Sequence, residues 1–275
     1  NAYFALFSNP IWLSGAKQGK FLKNFSYQWE CKDAYLFQAS HFADVSDAWG
    51  ISLTLWKSDN QATPITEYNM KLIDILDDGS IDVVGHHTIY NSAFFNKASD
   101  WVKAPIKGSV PVLYPCLTSG LKIDSSNRLT HGCSNQLGSF FNSGNNIQSN
   151  VQNVALLSST YANAHSSPIS ISNFTRCTAL FTARKLIENT WINHADEYLA
   201  PNENHPDYKR FEADSIVYSL FENKSNQTSM RQITYKGKLY DIPNEFFWMS
   251  KDIMMGLANE HHDDFMFNDA RTTSK

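Results

Sequence analysis

The side chains best suited to reading a nucleic acid crowd between residues 135 and 153, where Asn135, Gln136, Asn142, Asn145, Asn146, Gln148, Asn150, Gln152 and Asn153 follow one another closely. A carboxamide sets a donor beside an acceptor, which complements the major-groove edge of adenine, while lysine and arginine suit guanine or phosphate. Lys97, Lys103, Lys107, Lys122 and Arg128 lie near the run in sequence. These five cations, together with Gln136, Asn142, Asn145, Asn146 and Gln148, are the candidate DNA-binding residues. The competing reading is that asparagine and glycine in such a run simply suit turns with positive φ.

The charge distribution gives the same region weight. The chain carries a formal charge of -4, which by itself argues against a phosphate partner. That charge is unevenly placed: residues 88–187 hold +6, between flanks of -4 and -6. Segregation of this kind is expected of a protein with one local anion-binding surface.

Other groups point to chemistry less well. His261, His262, Asp263 and Asp264 could ligate a metal, but adjacent residues at a helix end point in different directions. His86 and His87 close a strand, one facing inward and one outward. Ser14 beside Gly15 lacks the glycine two positions earlier that a nucleophile elbow requires. Asp74, Asp82 and Lys71 share a hairpin at a spacing that fits an exposed face rather than a nuclease centre. Cys31, Cys116, Cys133 and Cys177 are scattered singly, as reduced thiols would be, with no paired spacing for zinc or a disulfide frame. No catalytic residue and no metal ligand is assigned.

The elements that must position the amides follow from periodicity. Tyr3 to Leu13 reads as a buried strand running into a turn at Ser14 and Gly15, followed by a short helix with Phe21, Leu22 and Phe25 on its apolar side. Ala34 to Phe37 and Trp49 to Trp56 read as strands, and Gln61 to Thr66 as a break. Met70 to Leu76 and Ile81 to Val84 flank Asp77-Asp78-Gly79, a hairpin signal because Asp-Gly accepts the positive φ of tight turns. Trp101 to Ile106, Val110 to Leu113 and Leu121 to Leu129 look like further short strands, and His131 to Asn153 like a long polar loop. After Ser172 and Asn173, which can cap a helix, three amphipathic stripes follow: Phe174 to Ile187, Tyr208 to Phe221 and Phe247 to Ala258. No stretch approaches the roughly 18 apolar residues of a membrane span, so no membrane partner and a cytoplasmic location are expected.

Several blocks resemble adenine-specific DNA methyltransferases of restriction-modification systems. SNPIWLSG, then KFLKNF and SHFADVSDAWGISLTLW, look like the closing third of that family's catalytic domain, where a late strand ends in a Pro-x-x-Trp-Leu-x-Gly pattern, a helix follows, and two strands finish the sheet. LIDILDDGSIDVVGHHTIYN, LGSFFNSGNNIQSN, LLSSTYANAH, TARKLIENTWINHADEYLAPN and FEADSIVYSLFEN are similar to segments downstream of it. The resemblance implies an α+β chain in three parts: the edge of a Rossmann-like methyltransferase sheet over 1–60, a β-rich target-recognition region over 61–170, and a helical region over 171–275.

One departure limits what the resemblance implies. The family holds its flipped adenine with an (Asn/Asp/Ser)-Pro-Pro-aromatic tetrapeptide. The nearest string here is Asn9-Pro10-Ile11-Trp12, with Ile11 in place of the second proline and the string placed at the later strand. It is therefore expected to be a strand end. The chain is expected to act as a catalytically inactive fragment that reads duplex DNA for an N-terminal catalytic domain lying outside it. S-adenosylmethionine would be the parent protein's cofactor, with none bound by this chain. Two alternatives remain: a carbohydrate- or protein-binding module using exposed Trp29, Trp49 or Trp101, and a self-sufficient enzyme with a deep pocket of convergent titratable groups.

Overall fold

Alternating and β-branched residues build the first sheet. In the computed structural model, which describes residues 2–15, 17–42, 45–60, 63–103, 137–148, 154–157, 166–221 and 232–241, five strands form it: β1 (Tyr3–Ser8), β2 (Trp29–Gln38), β3 (Gly50–Ser58), β4 (Glu67–Ile75) and β5 (Ile81–Tyr90). Their spatial order is β1-β3-β2-β4-β5. β3 runs antiparallel to both β1 and β2, whereas β2 and β4 pair in parallel with Leu36 opposite Leu72. The sheet is thus mixed, and the molecule is mixed α/β.

The chain leaves β1 abruptly. The Asn9 Oδ1 accepts the Ile11 N–H at 2.9 Å, a local turn that ends the strand, and Pro10 opens the one-turn helix α1 (Ile11–Ser14). The expected strand to Leu13 therefore stops at Ser8. Gly15 then takes φ 83°, the left-handed conformation that lets α1 end and the ten-residue helix α2 (Gly19–Gln28) begin.

One face of the sheet packs against these helices. Leu13, Leu22, Phe25, Leu36, Trp56, Tyr68, Met70 and Ile89 form the buried cluster, with Trp56 fully enclosed. Ring centroids of Phe25, Trp12 and Tyr68 lie 4.8, 5.7 and 5.9 Å from that of Trp56, and the Trp56 Nε1–H donates to Thr54 Oγ1 at 2.7 Å. On the opposite face Tyr3, Phe7 and Leu55 remain exposed.

The hairpin at Gly79 (φ 80°) forms as the sequence predicts, with Ile75 opposite Ile81. It belongs to the first sheet, however. The chain divides into two compact units, and the first comprises residues 1–98, 145–150 and 187–200. The two later segments are tied to each other by backbone bonds: Ile147 N–H to Asp196 O at 3.0 Å, and Tyr198 N–H to Asn145 O at 2.7 Å.

The second unit comprises residues 99–144, 151–186 and 201–275. In it β6 (Gly138–Asn142) lies between β7 (Val154–Leu157) and β8 (Ser166–Ile169), antiparallel to both. The run expected as a polar loop therefore contains a strand, because Phe140 and Phe141 stand among small residues and Phe140 is fully buried. The short α3 (Ala98–Trp101) takes up Trp101, the first residue of the strand expected to Ile106, and the part of that strand from residue 104 on lies outside the described residues. Helices α4 (Phe174–Leu186) and α5 (Tyr208–Phe221) pack on each other, with the Thr182 hydroxyl donating to Ser215 O at 3.3 Å. Asn173 starts α4 through its carbonyl, while its side chain ties the preceding loop by accepting Ser170 N–H at 2.8 Å and donating to Val102 O at 2.8 Å. A final hairpin joins β9 (Gln232–Tyr235) to β10 (Lys238–Asp241). The strands expected at 110–113 and 121–129 and the stripe at 247–258 lie outside the described residues. No helix among the described residues is long and apolar enough to cross a membrane.

Candidate functional site

The turn between α1 and α2 opens a cleft of about 580 Å³ lined by Gly15, Lys17, Gln18, Gly19, Lys20, Phe21, Ser92, Ala93 and Lys97. Every one of these residues belongs to the first unit. Local sequence explains its shape. Gly15 is pressed from behind, since a Cβ there would lie 3.3 Å from Leu22 Cδ1 and from Ser92 Oγ. Gly19 faces open space except for Ala93 Cβ at 3.9 Å, so backbone rather than side chain forms that wall. Ser92 is held in place by its own N–H, which donates to Ser14 O at 2.9 Å.

The charges around the cleft are of one sign. Lys17 and Lys20 are exposed and form no ion pair among the described residues. Lys97 differs: its Nζ lies 3.0 Å from Glu197 Oε2, and the Glu197 side chain is only 4% exposed. Its charge is thus matched internally. The first turn of α2 carries no acidic residue and its N-cap has no side-chain bond. A helix start with free amides and neighbouring cations favours an anion.

The DNA contacts expected from the sequence are distributed differently. Lys97 lines this cleft, paired with Glu197. Lys103 is exposed and pairs with Asp100. Asn142 is buried, and its Oδ1 accepts from the Arg184 guanidinium. Asn145 donates from Nδ2 to Tyr198 O at 2.8 Å, and Asn146 forms a backbone bridge with Glu197. Gln148 is half-buried at the end of the same segment. Lys107, Lys122, Arg128 and Gln136 lie outside the described residues. Asn142 and Asn145 each make a side-chain contact within the protein, and neither takes the positive φ that the turn alternative supposes. Sequence reasoning does not single out Lys17, Lys20 or Ser92. The Gly-x-Lys-x-Gly-Lys spacing from Gly15 to Lys20 is the available signal, but Ser92 comes to it only through the fold.

Two further polar groups lie in the first unit. The Asp33 carboxylate accepts the Tyr35 hydroxyl at 2.5 Å and sits 2.9 Å from Lys71 Nζ. Partial burial pushes its pKa up, but the Tyr35 hydroxyl and the Lys71 ammonium outweigh that and hold it below the ordinary range. His87 Nε2 lies 3.0 Å from Asp196 Oδ2. Burial, with Asp33 nearby, pushes the Cys31 thiol up to about 12, so it is no thiolate nucleophile at neutral pH. No group of three or more His, Cys, Asp or Glu converges for a metal among the described residues. The strand-end string also has a structural role, with Trp12 Nε1–H donating to Ser8 Oγ at 3.1 Å.

His194 gives the first unit a pH dependence. It is fully buried, with Nδ1 3.2 Å from Trp191 O and 3.3 Å from Gly50 N. Burial lowers its pKa from the ordinary 6.5, despite the opposing Trp191 carbonyl and Asp196 charge. The folded state therefore favours the neutral ring. Its stabilising contribution is complete above about pH 6.5 and declines as pH falls, because the unfolded chain then binds the proton more readily. Thermal unfolding midpoints measured from about pH 7 down to pH 5 are expected to fall, and to fall less in His194→Asn.

Against models of protein families, against curated proteins and against solved structures, the chain finds no match.

Proposed function

We propose that the chain recognises duplex DNA sequence-specifically as the distal part of an adenine-specific DNA methyltransferase, in a cytoplasmic setting, with methyl transfer performed by a catalytic domain outside it. The observation that supports this reading best is the order of the first unit. On the segment bearing the resemblance, β1 is followed by helix α2 and then by two strands, with β3 reversed between β1 and β2. This order agrees with the strand, helix and two strands of the resemblance, while β4 and β5 carry the sheet on beyond β2, where the family's sheet ends. The exposed Tyr3, Phe7 and Leu55 face suits the same reading, since the sheets of α/β folds are covered on both faces.

The cleft at Gly15 to Lys20 does not fit S-adenosylmethionine. Lysines line it, and it has no carboxylate for ribose hydroxyls. It does suit a phosphate backbone. The alternative of a carbohydrate- or protein-binding module needs exposed aromatic rings, yet Trp101 is buried with Nε1–H donating to Glu203 Oε1 at 2.8 Å, and Trp29 packs on Phe4 at 4.8 Å. Trp49 is the exposed one of the three.

A salt titration tests the proposal. The chain is expected to bind duplex DNA with an affinity that falls linearly on a log–log plot as salt rises, by about 0.9 per phosphate contact. Lys103→Glu, Lys107→Glu and Lys122→Glu together are expected to weaken binding by at least about tenfold at low salt, as a charge reversal near phosphates should. No duplex binding at low ionic strength, or binding indifferent to salt, overturns it.

A further inference from the structure

We infer that the outer side of α2, together with the loop that follows β5, is a binding surface for single-stranded nucleic acid. The surface combines cations with bare aromatic rings. Lys20, Lys23, Asn24 and Tyr27 are exposed and recur at three-to-four spacing, so they share one side of α2, with Phe21, 56% exposed, at its margin. The loop over 91–97 lies alongside. Ala93 Cβ stands 3.9 Å from the position that a Cβ on Gly19 would take, and the ring centroids of Phe94 and Tyr27 are 6.5 Å apart. Tyr90, which closes β5, and Phe95 are exposed with centroids 5.5 Å apart. Phe21 and Ala93 line the cleft with Lys17 and Lys20, which joins helix and loop into one surface.

Single exposed rings are ordinary, but Phe21, Tyr27, Tyr90 and Phe95 gather on this one surface. Residues 15–28 and 90–98 hold four lysines and no Asp or Glu. Lys97 is matched by Glu197, whereas Lys17, Lys20 and Lys23 form no ion pair among the described residues. At the rim Asp59 lies 3.7 Å from Lys57, and Glu67 stands opposite Tyr90. Unpaired cations call for an anion, and bare rings call for a flat apolar face to lie against. A single strand supplies both, with phosphates for the lysines and unpaired base faces for the rings. A duplex keeps its base faces inside the stack, so this inference goes beyond the duplex recognition proposed above and does not rest on it. An anionic membrane fits less well. A helix lying in a bilayer inserts its apolar stripe, and Leu22 and Phe25 of α2 are committed to the core. The cleft of about 580 Å³ is also concave, in the size range of small-molecule sites, which suits a nucleotide better than a flat bilayer.

Fluorescence anisotropy of the full chain with labelled oligothymidylate of about ten nucleotides tests the surface. The comparisons are an abasic strand of the same length, the corresponding duplex, and vesicles rich in phosphatidylserine. The strand with bases is expected to bind at least about tenfold more tightly than the abasic strand, because stacking needs the bases. Phe21→Leu is expected to weaken binding about tenfold and Phe21→Trp to preserve it. Leucine keeps apolar bulk against Phe25 and removes the ring face. Lys20→Gln with Lys23→Gln is expected to lower the salt slope by about 0.7 for each lysine. Oligouridylate in place of oligothymidylate separates RNA from DNA as the source of the strand, and base-dependent binding of either supports the surface. Duplex binding with no binding of single strands overturns the surface and leaves the function proposed above standing. Base-dependent single-strand binding in a chain that binds no duplex does the reverse. Equal affinity for abasic and base-bearing strands, or Phe21→Leu without effect, overturns the surface. Capture by the vesicles without binding of strands overturns it in favour of a membrane.

Discussion

Arg184→Ala is expected to cost the second unit about 4 kcal/mol in urea unfolding, a loss at the upper end of what single substitutions cause. Arg184 sits on α4 with 1% of its surface exposed. Its Nη1 donates to the side chain of Asn142, to Ser143 O at 3.1 Å and to Gly144 O at 3.3 Å. The last two carbonyls follow β6, in a turn where Gly144 takes φ 80°. Alanine would leave these acceptors without their donor and open a cavity where a long side chain had been. Both effects destabilise, and water replaces the guanidinium least easily at Asn142, which is buried. Arg184→Met separates them, because it restores much of the volume and none of the donors. The methionine variant is expected to recover less than half of the loss. A cost below about 1 kcal/mol for Arg184→Ala would show that the β6 turn holds without the guanidinium.

Gly50→Ala is expected to destabilise the first unit by about 3 kcal/mol. A methyl group here would lie 2.5 Å from Trp191 O, 3.0 Å from Leu36 Cδ1 and 3.3 Å from His194 Cε1. The nearest of these is backbone, which cannot rotate away as the end of a side chain can. Accommodation requires the 187–200 segment to lift from β3, which lengthens the contact from Gly50 N to His194 Nδ1. The thermal unfolding midpoint should shift downward, and amide exchange at Gly50 should accelerate more than at Leu53, farther along β3. An alanine variant with unchanged midpoint and unchanged exchange would mean that the segment is not held against the strand.

Local patterns make much of the fold legible in the sequence. β3 and the β4–β5 hairpin show themselves through β-branched residues and Asp78-Gly79, and α4 through apolar residues at three-to-four spacing. Non-local pairing is not legible. Nothing in Met70 to Leu76 says that it will pair in parallel with β2, because strand periodicity identifies a face and not a neighbour. A local reading therefore groups the hairpin with the region that follows, whereas it joins the first sheet. The partners of the amides are not legible either. A carboxamide offers the same donor and acceptor to adenine, to a carbonyl or to a guanidinium, so sequence alone does not show that Asn142 meets Arg184 and Asn145 meets Tyr198.

The three-part make-up of the first unit constrains how it can be born. Synthesis delivers residues 1–98 before residues 187–200, and the earlier stretch contains the whole five-stranded sheet. Until residues 187–200 emerge, Gly50 has no imidazole beside it, Lys97 has no Glu197, and His87 has no Asp196. All of 151–186, which belongs to the other unit, must be made in the interval. The nascent sheet therefore waits with a gap in its covering layer, and its last contacts close across a long stretch of chain, the kind of closure that is slow and leaves surface open to misassociation.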